Sequence, residues 1–466
     1  MTESDHFLTG FFEPDSVAII GASNNPARIN HNLLANLVNL GFRGKIYPVH
    51  PKEKEILGLK TYPSVKYISE TVDLAVIGVS HSLTHGILRD CAEKGVKRVT
   101  IVAGGFSETG EDGKRLQREM AQLIGVNGIR AIGPNALSPI NVPINLYISF
   151  HRLKKIKPGG LSLIFQSGLY EPRLGWLTSD FNLHLNKVID LGNKMDINEV
   201  DAMTYLVRDP KTQVIGIHLE SIEGDGREFL STIKEASGRK KRVVVLKSGR
   251  TKAGARAAAS HTGVIVQGSD LVFDAALRQY GALRAYSIEE FFDLTRALER
   301  FGAISLKGNR IFLAAIPGGE GVIVTDLCEY EGLTLAKLDD RTIERLRPIF
   351  PSWTISPNPW DLGVTVQFKH PMEVYRTLVE SVIKDSNVDA LAIQLPPKAY
   401  RLPREFFSLF QPAADAGKPV ALWLAGVESG RHEMLQWTEE MFVPVFSSPE
   451  KAIRALSALY RLSRRD

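Results

Sequence analysis

Ser16-Val17-Ala18-Ile19-Ile20-Gly21-Ala22 is the stretch on which the reading of the fold turns. It is apolar without alternation, the pattern of a strand covered on both faces in a parallel sheet. A polar turn, Ser23-Asn24-Asn25-Pro26, follows, and then apolar residues at helical spacing: Leu33, Leu34, Leu37 and Leu40. Strand-like runs recur at 45–49, 74–79 and 99–103, with a helical pattern from Leu83 to Lys94 between the last two. Strand and helix in regular succession predict a doubly wound, Rossmann-like domain over residues 8–145.

Working outward, Lys155 to Gly160 reads as a basic linker containing Pro and Gly. A second α/β series opens at 161–165, continues at 214–219 and 243–246, and closes with the amphipathic pattern Phe291 to Phe301. A third opens after Lys307-Gly308-Asn309 with 311–315 and runs through 390–393 and 420–424. Both series read as flavodoxin-like, over residues 155–304 and 308–466. The length, 466 residues, suits about three domains at roughly 150 residues each.

Composition narrows the function classes. Hydrophobic content of 44% and charged content of 23% are those of a globular protein. A formal charge of +5 suits anionic small molecules and is too dispersed to argue for nucleic acid. Only Cys91 and Cys328 are present, without metal-ligand spacing, which predicts a reduced, cytoplasmic protein. No apolar run approaches the roughly 20 residues of a membrane span, and the polar start, Met1 to His6, lacks a signal-peptide pattern.

The stretch richest in chemistry is Ser248-Gly249-Arg250-Thr251-Lys252-Ala253-Gly254-Ala255-Arg256-Ala257-Ala258-Ala259-Ser260-His261-Thr262-Gly263. It follows the strand-like 243–246 and consists almost wholly of small residues and cations, with one imidazole near its end. Two readings are open on composition. It is a mobile loop carrying a nucleophile among cations that attract phosphate, or residues 253–259 begin a helix with His261 on it, since Ala is the best helix former.

This segment resembles the phosphohistidine segment of the NDP-forming acyl-CoA synthetases, the ADP-forming acetyl-CoA synthetases related to succinyl-CoA synthetase. The resemblance covers nearly the whole chain, most strongly 16–136 and 161–298. It implies a CoA-binding Rossmann-like domain ahead of two ligase domains, with a phosphohistidine loop that moves between sites. Gly21-Ala22-Ser23 with its Asn-Asn-Pro turn, and 44–52, are similar to the family's CoA-binding segments. On residue chemistry alone the first turn is either a phosphate site at a helix start or an ordinary strand-to-helix turn. By the resemblance, Gly21, Ser23 and Ser80 belong to the CoA site, and Lys52 meets a CoA phosphate. Gly104, Gly105 and the Gly133-Pro134-Asn135 turn line the pantetheine arm. Ala136 stands where the family has Cys, and Ser80 where it has Pro.

For the ligase domain the resemblance implies that Ser167 and Gly168, at a strand-to-helix turn, and Gly263 bind the phosphoryl group. It makes His261 the covalent nucleophile and Glu220 the carboxylate that orients it; by itself Glu220 also reads as a solvated loop start. Asp190-Leu191-Gly192-Asn193-Lys194-Met195-Asp196 matches a family loop near the reacting centre, where the family has Ser in place of Asp190. Phe165, Glu171 and Glu320 depart from the pattern, and Glu171 sets a carboxylate beside the phosphate turn. His218 reads as a hydrogen-bonded structural residue, and no metal site is expected. The family's ADP or ATP and Mg²⁺ are expected on a separate ATP-grasp β-type subunit in a hetero-oligomer, with CoA and a small acyl acid as substrates. The alternative is a non-catalytic, CoA-binding regulatory subunit derived from the family.

Overall fold

In a computed structural model, residues 6–464 are described except 167, 169, 171–173, 263–268, 354, 425–436, 439, 440 and 442; of residues 176 and 259–262 the backbone alone is described. The opening stretch forms β1 (Ser16–Ile20), every residue of it buried. It is followed by β2 (Lys45–Val49), a short hairpin of β3 (Glu55–Ile56) and β4 (Leu59–Lys60), β5 (Leu74–Ile77), β6 (Arg98–Ile101) and β7 (Arg130–Ile132). Outside the hairpin these strands make a five-stranded sheet in the order β2-β1-β5-β6-β7, parallel throughout. Helices pack on both faces because the strands have no polar side to show water.

The second sheet has seven strands. Its parallel part is β10 (Pro158–Phe165), β11 (Leu185–Asp190), β12 (Val214–Leu219), β13 (Arg242–Lys247) and β14 (Ala282–Ala285), in the order β14-β13-β12-β10-β11. Its far edge comes from the end of the first series. β8 (Ile140–Asn141) pairs antiparallel with β11, and β9 (Leu146–Tyr147) with β8. The third sheet holds β15 (Arg310–Ala315), β16 (Thr334–Leu335), β18 (Ala390–Gln394), β19 (Val420–Trp423) and β20 (Val445–Phe446), with the two-residue β17 (Trp360–Asp361) beside β15. Setting aside the hairpin, β8, β9 and β17, all three sheets place their strands in the order second, first, third, fourth, fifth. This is the flavodoxin-like order, whose crevice opens between the first and third strands at their carboxyl ends.

By packing, the chain divides into Met1–Ile288 and Glu289–Asp466. The first two sheets share one unit because β8 and β9 complete the second sheet. The helix read as closing the second series, Ile288–Arg300, packs within the C-terminal unit. Arg296 donates to the Val445 carbonyl at 2.8 Å, and Lys451 pairs with Asp293 at 3.2 Å.

Two local expectations change. The linker ends earlier, since β10 already starts at Pro158. The segment expected as a loop is an α-helix, Lys252–Thr262. Its Ala-rich run favours helix, and its first turn is tied by Thr251, whose hydroxyl accepts the Gly254 N–H at 3.0 Å and whose carbonyl accepts the Ala255 N–H at 2.7 Å. Among the described residues no helix is long and apolar enough to cross a membrane.

Candidate functional site

Residues collect at two crevices and along the edge that joins them. The first crevice lies between β1 and β5. Gly21 turns the chain there at φ +91°, and a Cβ at this position would stand 2.7 Å from Val79 and 2.9 Å from the Gly78 carbonyl. Only glycine permits so close an approach. The Asn30 side chain donates to the Gly21 carbonyl, and Ser23 closes the turn by accepting the Asn25 N–H at 3.1 Å. A cavity of about 620 Å³ opens beside this turn, lined by Gly21, Arg28, Asn30, His50, Ser80 and Asp90 among others. Lys52 is exposed and does not line the cavity, although its neighbours His50 and Pro51 do. Arg28 does line it, a cation that sequence reading passed over because it sits in a turn with no periodic pattern.

Two strands further along, Gly104 and Asn135 come together: a Cβ on Gly104 would stand 3.3 Å from the Asn135 side-chain oxygen and 3.0 Å from Glu108. Glu108, which sequence reading did not single out, accepts the Gly105 N–H at 2.6 Å and the Asn193 side-chain N–H at 2.6 Å. Gly192 presses on the Gly133-Pro134-Asn135 turn so closely that a Cβ would lie 2.2 Å from the Pro134 carbonyl. The turn and the Asp190–Asp196 loop therefore form one surface. Asp190 is buried beneath it and accepts N–H groups of Leu137 at 2.9 Å and Gly192 at 3.2 Å. Burial pushes its carboxyl up to about 6, against the pull of those two bonds.

The second crevice lies between β10 and β12. Gln166, one residue past β10, accepts the N–H groups of Glu220 and Ser221 at 2.8 and 2.9 Å and donates to the Ser221 hydroxyl at 3.0 Å. This clamp fixes Glu220 one residue past β12. Glu220 is 7% exposed, and its Oε2 has no hydrogen-bond partner among the described residues. A buried carboxylate oxygen left so is costly unless something fills it. Glu220 also borders a cavity of about 470 Å³ with Lys247, Arg250 and Phe273. Lys247 donates to the carbonyls of Glu220 and Ser248 at 2.7 and 2.9 Å. Burial, and then Arg284, hold its ammonium down to about 8. Lys194 ties the neighbouring loop in, donating to Glu199 at 2.7 Å and to the Ser221 carbonyl at 2.9 Å.

His218 is structural, as expected. It is buried, its Nε2 lies 2.6 Å from the Ser248 hydroxyl, and burial followed by the Lys247 charge lowers it to about 4. Gly168 sits in an exposed turn, and among the described residues nothing lies within 4 Å of where a Cβ would be. Ser167, Gly263 and Glu171 lie outside the described residues. The backbone of His261 falls at the end of the helix Lys252–Thr262, about 13 Å from its start at 1.5 Å per residue; its side chain lies outside the described residues. That helix packs beside the turn Ser107–Thr109 of the first domain. The structure thus gathers Gly21 and Ser80 at one cavity, Gly104 and Asn135 at the joining edge, and Glu220 at the second crevice. Glu320, a departure in the third series, accepts from Gln394 at 3.0 Å and Trp423 at 3.1 Å within its own unit. Among the described residues no group of His, Cys, Asp and Glu is arranged to hold a metal ion.

Two crevices of this kind, joined by one edge, define a pair of doubly wound domains whose ligand sites lie at the carboxyl ends of their strands. Known proteins agree. The family described as CoA binding domain matches residues 15–139, and the succinyl-CoA ligase like flavodoxin domain matches 158–298. The alpha subunit of acetate–CoA ligase [ADP-forming] II from Pyrococcus furiosus is 36% identical over 98% of each chain. Acetate–CoA ligase [ADP-forming] II from Archaeoglobus fulgidus is 34% identical over 98% of this chain and 67% of its own length. The dinucleotide-forming acetyl-coenzyme A synthetase 1 of Ca. Korarchaeum cryptofilum, solved with phosphate and ADP, superposes with a TM-score of 0.88 at 34% identity, over 98% of this chain and 97% of that one. The chain belongs to the family of ADP-forming acyl-CoA ligases, on the side of their alpha subunits.

Proposed function

We propose that the chain works as the α-type subunit of an ADP-forming acyl-CoA synthetase, reversibly converting acyl-CoA, phosphate and ADP into acid, CoA and ATP. CoA enters the cavity between β1 and β5, and its thioester reaches the edge where Gly104, Asn135 and Asn193 meet. A phosphate oxygen attacks the thioester carbonyl carbon, the C–S bond breaks, and CoA leaves. An imidazole nitrogen of His261 then attacks the phosphorus of the acyl phosphate, the bond from phosphorus to the acyl oxygen breaks, and the acid leaves as carboxylate. Glu220 accepts the other ring N–H, which fixes the tautomer and stabilises the imidazolium. Ser167, Gly168 and Gly263 cradle the phosphoryl group with backbone N–H groups. The helix Lys252–Thr262 is the arm that carries it onward.

ADP and Mg²⁺ belong on an ATP-grasp β-type partner. Supporting this, the Pyrococcus relative is named a subunit, and the Archaeoglobus relative extends beyond the 67% of its length that this chain covers. Two free, buried cysteines fit a reducing, cytoplasmic setting.

The observation that carries the reading is the unpartnered Oε2 of Glu220, buried at the second crevice. It is a socket for an N–H donor that the described residues do not supply. The test is phosphorylation of the full chain, mixed with its copurified partner, from labelled ATP. An acid-labile, base-stable phosphate is expected on His261, absent in His261→Asn. In Glu220→Gln it should fall about tenfold or more, because an amide does not stabilise the imidazolium charge. CoA binding without any phosphohistidine would instead make the chain a regulatory subunit.

A further inference from the structure

The CoA turn and the phosphoryl crevice are separate places, yet one carboxylate joins them. Gly105 turns at φ +104°, and a Cβ there would lie 2.6 Å from the His81 ring, so this turn is built around glycine. Its N–H is held by one oxygen of Glu108 at 2.6 Å, while the other oxygen holds the Asn193 side chain at 2.6 Å. Asn193 is gripped again by Gln117 at 3.2 Å and through its own backbone N–H by the Pro134 carbonyl at 2.9 Å. The next residue, Lys194, reaches the Ser221 carbonyl at 2.9 Å, and Gln166 clamps Ser221 and Glu220 together. An unbroken chain of bonds therefore runs from Gly105 through Glu108, Asn193, Lys194 and Ser221 to Glu220. Burial would raise the Glu108 carboxyl, but the N–H of Gly105 and the amide of Asn193 are among the bonds that bring it below the usual range.

We propose that Glu108 is a positioning residue that couples CoA occupancy to the phosphoryl-transfer crevice. It does so by fixing the Gly104-Gly105 turn against Asn193. The inference rests on the reading that CoA occupies the first domain. Glu108 needs both of its oxygens as acceptors, because Gly105 and Asn193 each present a donor. A carboxylate satisfies both; an amide satisfies one and sets its own N–H groups against the Asn193 amide. A charge-assisted bond is worth roughly tenfold in an opening equilibrium.

The test is hydrogen exchange of the full chain with and without CoA, followed in peptides covering 104–109 and 190–196. In the native chain CoA should slow exchange in both segments, the second by about tenfold. In Glu108→Gln the Gly105 N–H keeps its acceptor, so 104–109 should still respond and CoA affinity should stay within about threefold. The response at 190–196 should vanish. Adding Asn193→Asp supplies an acceptor for the new amide and should restore part of it, which a misfolded variant does not do. In the phosphorylation assay, labelling from ATP should persist in Glu108→Gln. Labelling from acetyl-CoA and labelled inorganic phosphate should fall about tenfold in rate, with little change in the KM for acetyl-CoA. An undiminished CoA response at 190–196 in Glu108→Gln overturns the proposal while leaving the CoA site intact. No CoA response in either segment of the native chain overturns the CoA-site reading itself.

Discussion

Asp190 shows how a single residue separates what spacing reveals from what burial decides. The sequence placed it in a loop motif at a position where the family carries Ser. The fold seals it beneath the contact between two domains, 2% exposed. Its carboxyl titrates at about 6 when folded, against an ordinary 3.8. The folded chain therefore holds a proton that the unfolded chain has lost across that window. Stability falls as pH rises from about 4 to 6, and the penalty is complete above it. Asp190→Asn removes the buried charge and, with a single oxygen, keeps an acceptor for only one of the Leu137 and Gly192 N–H groups, which bond to different carboxylate oxygens. Urea unfolding should find the stability of the variant relative to the native chain rising by about 3 kcal/mol between about pH 4 and neutral pH, from an acid-side value set by the lost hydrogen bond. A gain of equal size at both pH values would mean that charge is not its source. Glu220 was legible because it ends a strand in a family pattern. Glu108 and Arg28 were not, since each matters through partners far away in sequence that no spacing rule connects.

Among the elements, the helix Lys252–Thr262 is the one whose state composition left open. Intrinsic propensity and the Thr251 cap decide for helix in the isolated chain. The proposed role requires that helix to travel as a unit, so its cohesion becomes a functional variable. Ala257 is exposed, and replacing it with Gly costs the helix about 1 kcal/mol without touching the core. Amide exchange across 252–262 should quicken by roughly fivefold with the global unfolding midpoint unchanged. A lowered midpoint would show that the helix belongs to the cooperative core instead. The same contrast explains β1 and β10. Buried parallel strands are plain in sequence as unbroken apolar runs, but their first residues are not. Pro158 joins β10 through backbone geometry that its side chain does not announce.

At the scale of the molecule, three series predicted from alternation build three sheets with one strand order. The grouping of those sheets was not visible. β8 and β9 complete the second sheet although they follow the first series in sequence, so Met1–Ile288 packs as one unit. A fragment ending at residue 145 parts β8 from both β9 and β11 and exposes the buried Ile140. It should aggregate by light scattering, whereas a fragment of residues 1–288, which keeps that sheet whole, should not. Because the cavity proposed for CoA is lined, among the described residues, by residues 20–90, that longer fragment should bind CoA within about threefold of the full chain by calorimetry. A larger loss would place part of the CoA site in the C-terminal unit.

The sequence by itself determined the α/β class and the three strand–helix series, and it singled out His261 and Glu220 as the residues proposed for the reactive chemistry. These are local properties: periodicity, turn chemistry and short motifs are written within a few residues of one another. Tertiary structure alone decided which residues meet. The pairing of Glu108 with Asn193 spans 85 positions, and the clamp of Gln166 on Glu220 spans 54. It also decided which carboxylates lose their water and which strands finish a neighbour's sheet. Such contacts depend on where separate elements dock, and docking is set by the shape and burial of whole surfaces, which no local window of sequence contains.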